Sequence, residues 1–182
     1  METIYCRILL LNRKRVGELQ RMLSHVYQNA AAHNSCEESN GAINPAEKLL
    51  LTKFKRVVIR GKRGRGVPVL FSPDLQQHTD VLIKLRKNFV DNTNIYLFPK
   101  LKTNNPITGY QIMQKHVAAS GLKNPEAITS TKLRKHLATM TQVFNMSSND
   151  IEQLASFMGH TGDVHKQVYR LPDDIYQTAK IS

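Results

Sequence analysis

Apolar side chains run from Ile8 to Leu11 and then recur at Val16, Leu19, Met22, Leu23 and Val26. The three-to-four spacing predicts a helix over residues 15–31. A polar stretch over 33–45, rich in Asn, Ser and Glu, reads as a loop. Leu49 to Leu51 open a further element. Two β-type segments follow, 56–60 and 67–71, separated by Gly61-Lys62-Arg63-Gly64-Arg65-Gly66. Glycines between β-branched runs predict an antiparallel hairpin. Ser72-Pro73-Asp74 carries the cap and first-turn signals of a helix whose buried face would hold Leu75, Val81, Leu82, Leu85 and Phe89. Residues 95–98 form a short strand or extended link, and Pro106 to Gly109 precede a helix through about Ala119. Ser130 or a neighbour caps a helix through Leu133, Leu137 and Met140. Ser147 or Ser148 caps another, with Ile151, Leu154, Ala155 and Met158 on one face, ended by Gly159. A short helix over 164–169 and a last turn from Pro172 complete the chain. The sum is a mainly α (α+β) domain with a small antiparallel sheet.

Charge adds a partner class. The 182 residues hold 26 Lys and Arg against 14 Asp and Glu, a net charge of +12. Such a surface attracts polyanions by steering and by counterion release. Seven of the cations, and no acid, lie between Lys53 and Arg65. Lysines on a solvated strand edge also suppress aggregation, but a glycine-rich basic hairpin tip can reach a phosphate or a groove. No run approaches the roughly 18 apolar residues of a membrane helix. Cys6 and Cys36 suggest neither a disulfide framework nor, with His33, a metal site, so an intracellular, reducing compartment is the simplest expectation.

Three segments carry candidate chemistry. Leu9-Leu10-Leu11-Asn12-Arg13-Lys14-Arg15-Val16-Gly17-Glu18-Leu19 is an apolar run followed by Arg-x-x-Glu-Leu. Thr129-Ser130-Thr131-Lys132-Leu133-Arg134-Lys135-His136 opens a helix of small residues. Leu154-Ala155-Ser156-Phe157-Met158-Gly159-His160 is followed, nine positions after the histidine, by Tyr169. In this order the segments resemble the signature boxes of the tyrosine recombinase (phage integrase) family. Ile59-Arg60-Gly61-Lys62 with Val67-Pro68-Val69 is similar to that family's β-hairpin lysine. Thr131 departs from the pattern, standing where the family has a histidine, and Met158 replaces a leucine.

The resemblance implies a helical DNA breaking-rejoining core and transesterification at a DNA phosphodiester. Arg15 and Arg134 would grip the non-bridging oxygens with forked, permanently charged donors. His160 would add a hydrogen bond. Tyr169 would attack, leaving a phosphotyrosine, and Lys62 would protonate the leaving 5′ oxygen. Glu18 and Thr131 would support the site. Lys55, Arg60, Arg63, Arg65, Lys132 and Lys135 would contact DNA. No metal or cofactor is implied, because the arginines do the charge work. His136 lies about 200° round its helix from Arg134 and is a poor replacement for the histidine absent at 131; His165, one turn before Tyr169, is a candidate for tuning it.

The family carries a helical DNA-clamping domain ahead of the catalytic one. The chain begins fourteen residues before Arg15, so the expectation is the catalytic domain alone over 1–182, with 33–45 as a loop insertion, from a fragment or a truncated mobile-element relic. Its expected partners are double-stranded DNA and further copies of itself on DNA, without a membrane; for a eukaryotic element the location would be nuclear. The alternative is a catalytically impaired, recombinase-derived DNA-binding protein. An unrelated RNA-binding domain is a third reading, weakened by an aromatic content of 7% without tryptophan.

Overall fold

The computed structural model describes residues 1–31, 45–143 and 146–159. The apolar run at the start lies inside helix α1 (Glu2–Asn12), which buries Tyr5, Ile8 and Leu9. Helices α2 (Val16–Gln20) and α3 (Ser24–Asn29) follow, then α4 (Pro45–Lys53). The hairpin pairs β1 (Lys55–Arg60) with β2 (Gly66–Phe71), from Lys55 opposite Phe71 to Arg60 opposite Gly66. Helices α5 (Pro73–Arg86), α6 (Gly109–Ala118), α7 (Ser130–Val143) and α8 (Ser148–Phe157) complete the described elements. This is the mainly helical domain with a small antiparallel sheet that the pattern predicts. Among the described residues no helix is long and apolar enough to cross a membrane.

Two expectations need correction. The helix foreseen over 15–31 is two helices, α2 and α3. Between them the backbone pairs with the segment after α5: the Leu97 amide donates to the Met22 carbonyl at 2.7 Å and the Ser24 amide to the Ile95 carbonyl at 2.9 Å. Those long-range bonds replace the intrahelical ones, which apolar spacing alone does not reveal. In α5 the buried face is also rotated. Leu75 and Thr79 are buried and Leu82 packs half-buried against the core, while Val81 and Leu85, with Phe89 beyond the helix end, are 47, 50 and 69% exposed. Thr79 can be buried because its hydroxyl donates to the Leu75 carbonyl at 2.6 Å, so a polar letter occupies a core position. The α5 start is as expected, with Ser72 accepting from the Leu75 amide and Pro73 in the first turn. Ser147 likewise caps α8, and Leu49–Leu51 fall inside α4. The loop expected over 33–45 lies, but for Pro45, outside the described residues, as do the elements expected beyond Gly159.

The core joins α1 to the inward hairpin face of Val57, Ile59, Val67, Val69 and Phe71. Tyr5 meets Phe98 edge-on at 5.3 Å, and Tyr27 meets Phe71 at 4.9 Å. Tyr5 also donates to the Val16 carbonyl at 3.0 Å, tying α1 to the first turn of α2. Gly109 makes room for that hydroxyl: a Cβ there would lie 2.0 Å from it.

Asn12, fully buried, fixes the hairpin to α1. Its Nδ2 donates to the Leu70 carbonyl at 2.8 Å and to Ile8 at 3.0 Å, and its Oδ1 accepts from the Leu70 amide at 2.7 Å. The side-chain amide thus pairs with β2 as a neighbouring strand would. Truncation strands buried backbone groups, so Asn12→Ala should lower the unfolding free energy in urea by about 2–3 kcal/mol. Arg7→Ala, which breaks an exposed ion pair with Asp74, should cost under about 1 kcal/mol. Equal losses would show that the Asn12 bonds do not anchor the hairpin.

Candidate active site

The site begins where α1 ends. Arg13 takes a left-handed conformation (φ 50°, ψ 37°), which stops the helix. Lys14 then turns into the interior, and Arg15 takes the extended N-cap position of α2. Glu18, 3% exposed, sits in the first turn. Its Oε1 accepts from Arg15 Nη1 at 3.1 Å and from the backbone amide of Lys62 at 3.3 Å. One buried carboxylate therefore holds both the arginine and the hairpin turn. Gly61 lets the turn close against β2, since a Cβ there would stand 2.4 Å from Val67 Cγ2.

Helix α7 supplies the opposite wall. Leu133, Arg134 and Ala138 are buried, while Thr131, Lys132, Lys135 and His136 are exposed. Arg134 Nη2 donates to the Met158 carbonyl at 3.2 Å. The Ser130 hydroxyl donates to the Lys14 carbonyl at 2.9 Å, fastening the start of α7 to the α1–α2 link. Arg15, Val16, Tyr110, Thr129, Ser130, Thr131 and Arg134 line a cavity of about 360 Å³. Arg15 also lines a second cleft, of about 350 Å³, with Gly17, Glu18, Arg21, Arg60, Gly61 and Lys62. Among the described residues, five cationic side chains thus face two adjoining clefts against the single acid Glu18, an arrangement suited to an anion.

Of the expected catalytic set, Arg15, Lys62 and Arg134 come together around these clefts, with Glu18 and Thr131 beside them. His160, His165 and Tyr169 lie outside the described residues. Arg60 lines the second cleft, and Arg63 and Arg65 are exposed at the hairpin turn. Lys132 and Lys135 are exposed on α7; the Lys132 ammonium donates to the Glu126 carbonyl at 2.9 Å. Lys55 stands apart from the turn, at the far end of β1, with its ammonium 4.3 Å from the Tyr27 ring centre. Arg56, not Lys55, shares the outward face with Arg60. The alternation of Val57 and Ile59 carried that signal. Arg21 and Tyr110, which line the clefts, had no sequence signal.

Lys14 is the most unexpected member. It is fully buried. Its ammonium donates to the Phe157 carbonyl and stands 3.4 Å from the centre of the Phe157 ring. Burial pulls its pKa down to about 7, opposed by the Glu18 carboxylate and aided by Arg134 and Arg56. A depressed pKa means that the unfolded chain binds the extra proton. The stability this group contributes is complete above its ordinary 10.5 and is lost as pH falls towards 7. Tyr5, Tyr27 and Cys6, raised by burial, act in the opposite sense at alkaline pH, but they are common to wild type and Lys14→Met. The stability of wild type relative to Lys14→Met should therefore rise between pH 7 and 10.5, by a few kcal/mol. A pH-independent difference in urea midpoints would refute a suppressed lysine.

No family model and no curated protein matches the sequence. Solved structures do match. The XerH site-specific recombinase bound to palindromic difH substrate in a post-cleavage complex aligns with 99% of this chain at a TM-score of 0.61 and 13% identity. XerH in a pre-cleavage complex with difH aligns with 97% at 0.63 and 14% identity, and the XerA recombinase with 98% at 0.56 and 15% identity. The chain spans 45, 44 and 62% of those proteins' lengths. At such identities the likeness is one of fold: the chain shares the fold of the aligned part of these recombinases.

Proposed function

We propose that this chain cleaves and rejoins DNA strands in site-specific recombination or DNA integration, through a 3′-phosphotyrosine intermediate. The observation that carries the reading is the meeting of Arg15 and Arg134, far apart in sequence, on one cavity whose adjoining cleft holds Lys62. The similarity in fold to recombinases described in complex with their DNA substrate supports it.

In this mechanism the scissile phosphate occupies the Arg15–Arg134 cavity. The two guanidiniums stabilise the charge that grows on its non-bridging oxygens, and their anchoring to Glu18 and to the Met158 carbonyl limits reorganisation during the reaction. The Tyr169 phenol gives up its proton to water and its oxygen forms the new bond to phosphorus, while His160 donates a hydrogen bond to the phosphate and the bond to the 5′ oxygen breaks. Lys62 gives that oxygen a proton. Rejoining is the reverse, with a 5′ hydroxyl displacing the tyrosine. Partner copies on paired DNA sites supply the second strand exchange.

Covalent trapping tests this reading. Wild-type protein incubated with supercoiled plasmid and quenched with SDS should give relaxed plasmid and protein-linked DNA; Tyr169→Phe should give neither. Arg134→Lys, which loses the planar fork, should slow adduct formation by about 10²–10³-fold. Adduct from Tyr169→Phe would overturn the assignment of the nucleophile.

Thr131 favours a second reading. It lines the cavity where a histidine is expected, and a hydroxyl cannot act as a base near neutral pH. A catalytically impaired DNA-binding protein would bind plasmid without forming adduct, and Thr131→His would then restore cleavage.

A further inference from the structure

We propose that Lys14 is a positioning residue that holds the end of α8 against the Arg15–Arg134 cavity; this deepens the recombinase reading and rests on it. A lysine interior to a protein is costly unless its charge is met, and an apolar side chain of similar length would fill the same space. What the ammonium gains is specific. It donates to the carbonyl of Phe157, the last residue of α8, while the ring of Phe157 covers it at 3.4 Å. Arg134 donates to the next carbonyl, Met158, at 3.2 Å. The final carbonyls of a helix lack intrahelical donors and carry the negative end of its dipole. Here two consecutive ones are met by donors from two buried basic side chains on different walls of the site, one on the α1–α2 link and one on α7.

This geometry fixes where the chain leaves α8. Gly159 turns with φ +73°; a Cβ on it would lie 3.1 Å from Val67 Cγ2 and 3.7 Å from Arg15 Nη1. Gly159 itself therefore sits between the hairpin and Arg15. Lys14 is bonded to Arg15 through the backbone, and its own carbonyl receives the Ser130 hydroxyl at the start of α7. One residue thus connects the link that carries Arg15, the helix that carries Arg134, and the helix end that precedes His160 in the chain. It reaches no reacting atom, so its influence on cleavage passes through position alone.

The test combines two readouts on the full chain. Amide hydrogen exchange reports on the hold itself: the Met158 and Gly159 amides, which donate to Leu154 and Ser156, should exchange at least tenfold faster in Lys14→Met, with α1 amides unchanged. Single-turnover cleavage reports on its use: Lys14→Met should bind plasmid within about threefold of wild type yet cleave roughly 10–10²-fold more slowly, and Lys14→Arg should recover most of that loss. Phe157→Leu, which removes the ring but not the carbonyl, should raise the same two exchange rates and serves if Lys14→Met does not fold. Unchanged exchange at Met158 and Gly159 would overturn the proposal, as would wild-type cleavage by Lys14→Met. If wild-type protein forms no adduct, the recombinase reading fails on its own, and exchange alone decides whether Lys14 holds α8.

Discussion

The architecture turns on burying charge at one junction. Lys14, Glu18 and Arg134 are between 0 and 3% exposed, and they meet where the α1–α2 link, the hairpin turn, α7 and the end of α8 converge. Ions taken from water in this way are costly, and their mutual attraction rarely recovers more than the loss. What such a junction secures is geometry. Each ion is bonded to backbone of another element: Glu18 to the Lys62 amide, Lys14 to the Phe157 carbonyl, Arg134 to the Met158 carbonyl. An apolar junction could slide by a fraction of an ångström at little cost; a set of directional bonds to fixed carbonyls and amides cannot.

Much of the fold was legible because local chemistry and tertiary context agree there. The β1–β2 register follows from alternating Val57 and Ile59 against Val67 and Val69. The starts of α5 and α8 follow from Ser72 and Ser147. Legibility failed where distant backbone intervened. The break between α2 and α3 is imposed by residues 95–97, more than seventy positions away, and nothing in residues 21–24 announces it. The rotated face of α5 was hidden by Thr79, whose burial depends on a hydroxyl bond to its own helix.

The candidate site divides in the same way. Arg15, Glu18, Lys62 and Arg134 could be named because residue type and order resemble a known set of boxes, and the clefts bring these four together. Lys14 could not. In Arg13-Lys14-Arg15 it reads as one more surface cation, and only the left-handed turn at Arg13 sends it inward. Lys55 lies on the Tyr27 ring, away from the hairpin turn, while the alternation of Val57 and Ile59, already visible in the sequence, puts Arg56 on the face of Arg60.

The division of labour among the cations follows from their chemistry. A guanidinium keeps its charge wherever it is placed, so Arg134 can be buried at the cavity wall and remain a cation. An ammonium buried as deeply is pulled to about pH 7, as Lys14 is, and makes a poor fixed charge for a phosphate. Lys62, by contrast, is exposed at the turn while its backbone is held by Glu18. Its side chain is thus free to approach a leaving oxygen, as the proposed general-acid role requires. Buried arginine for charge, buried lysine for position and exposed lysine for proton transfer are the three uses of basic residues that the proposed mechanism assigns to one site, and their burial, more than their count, separates them.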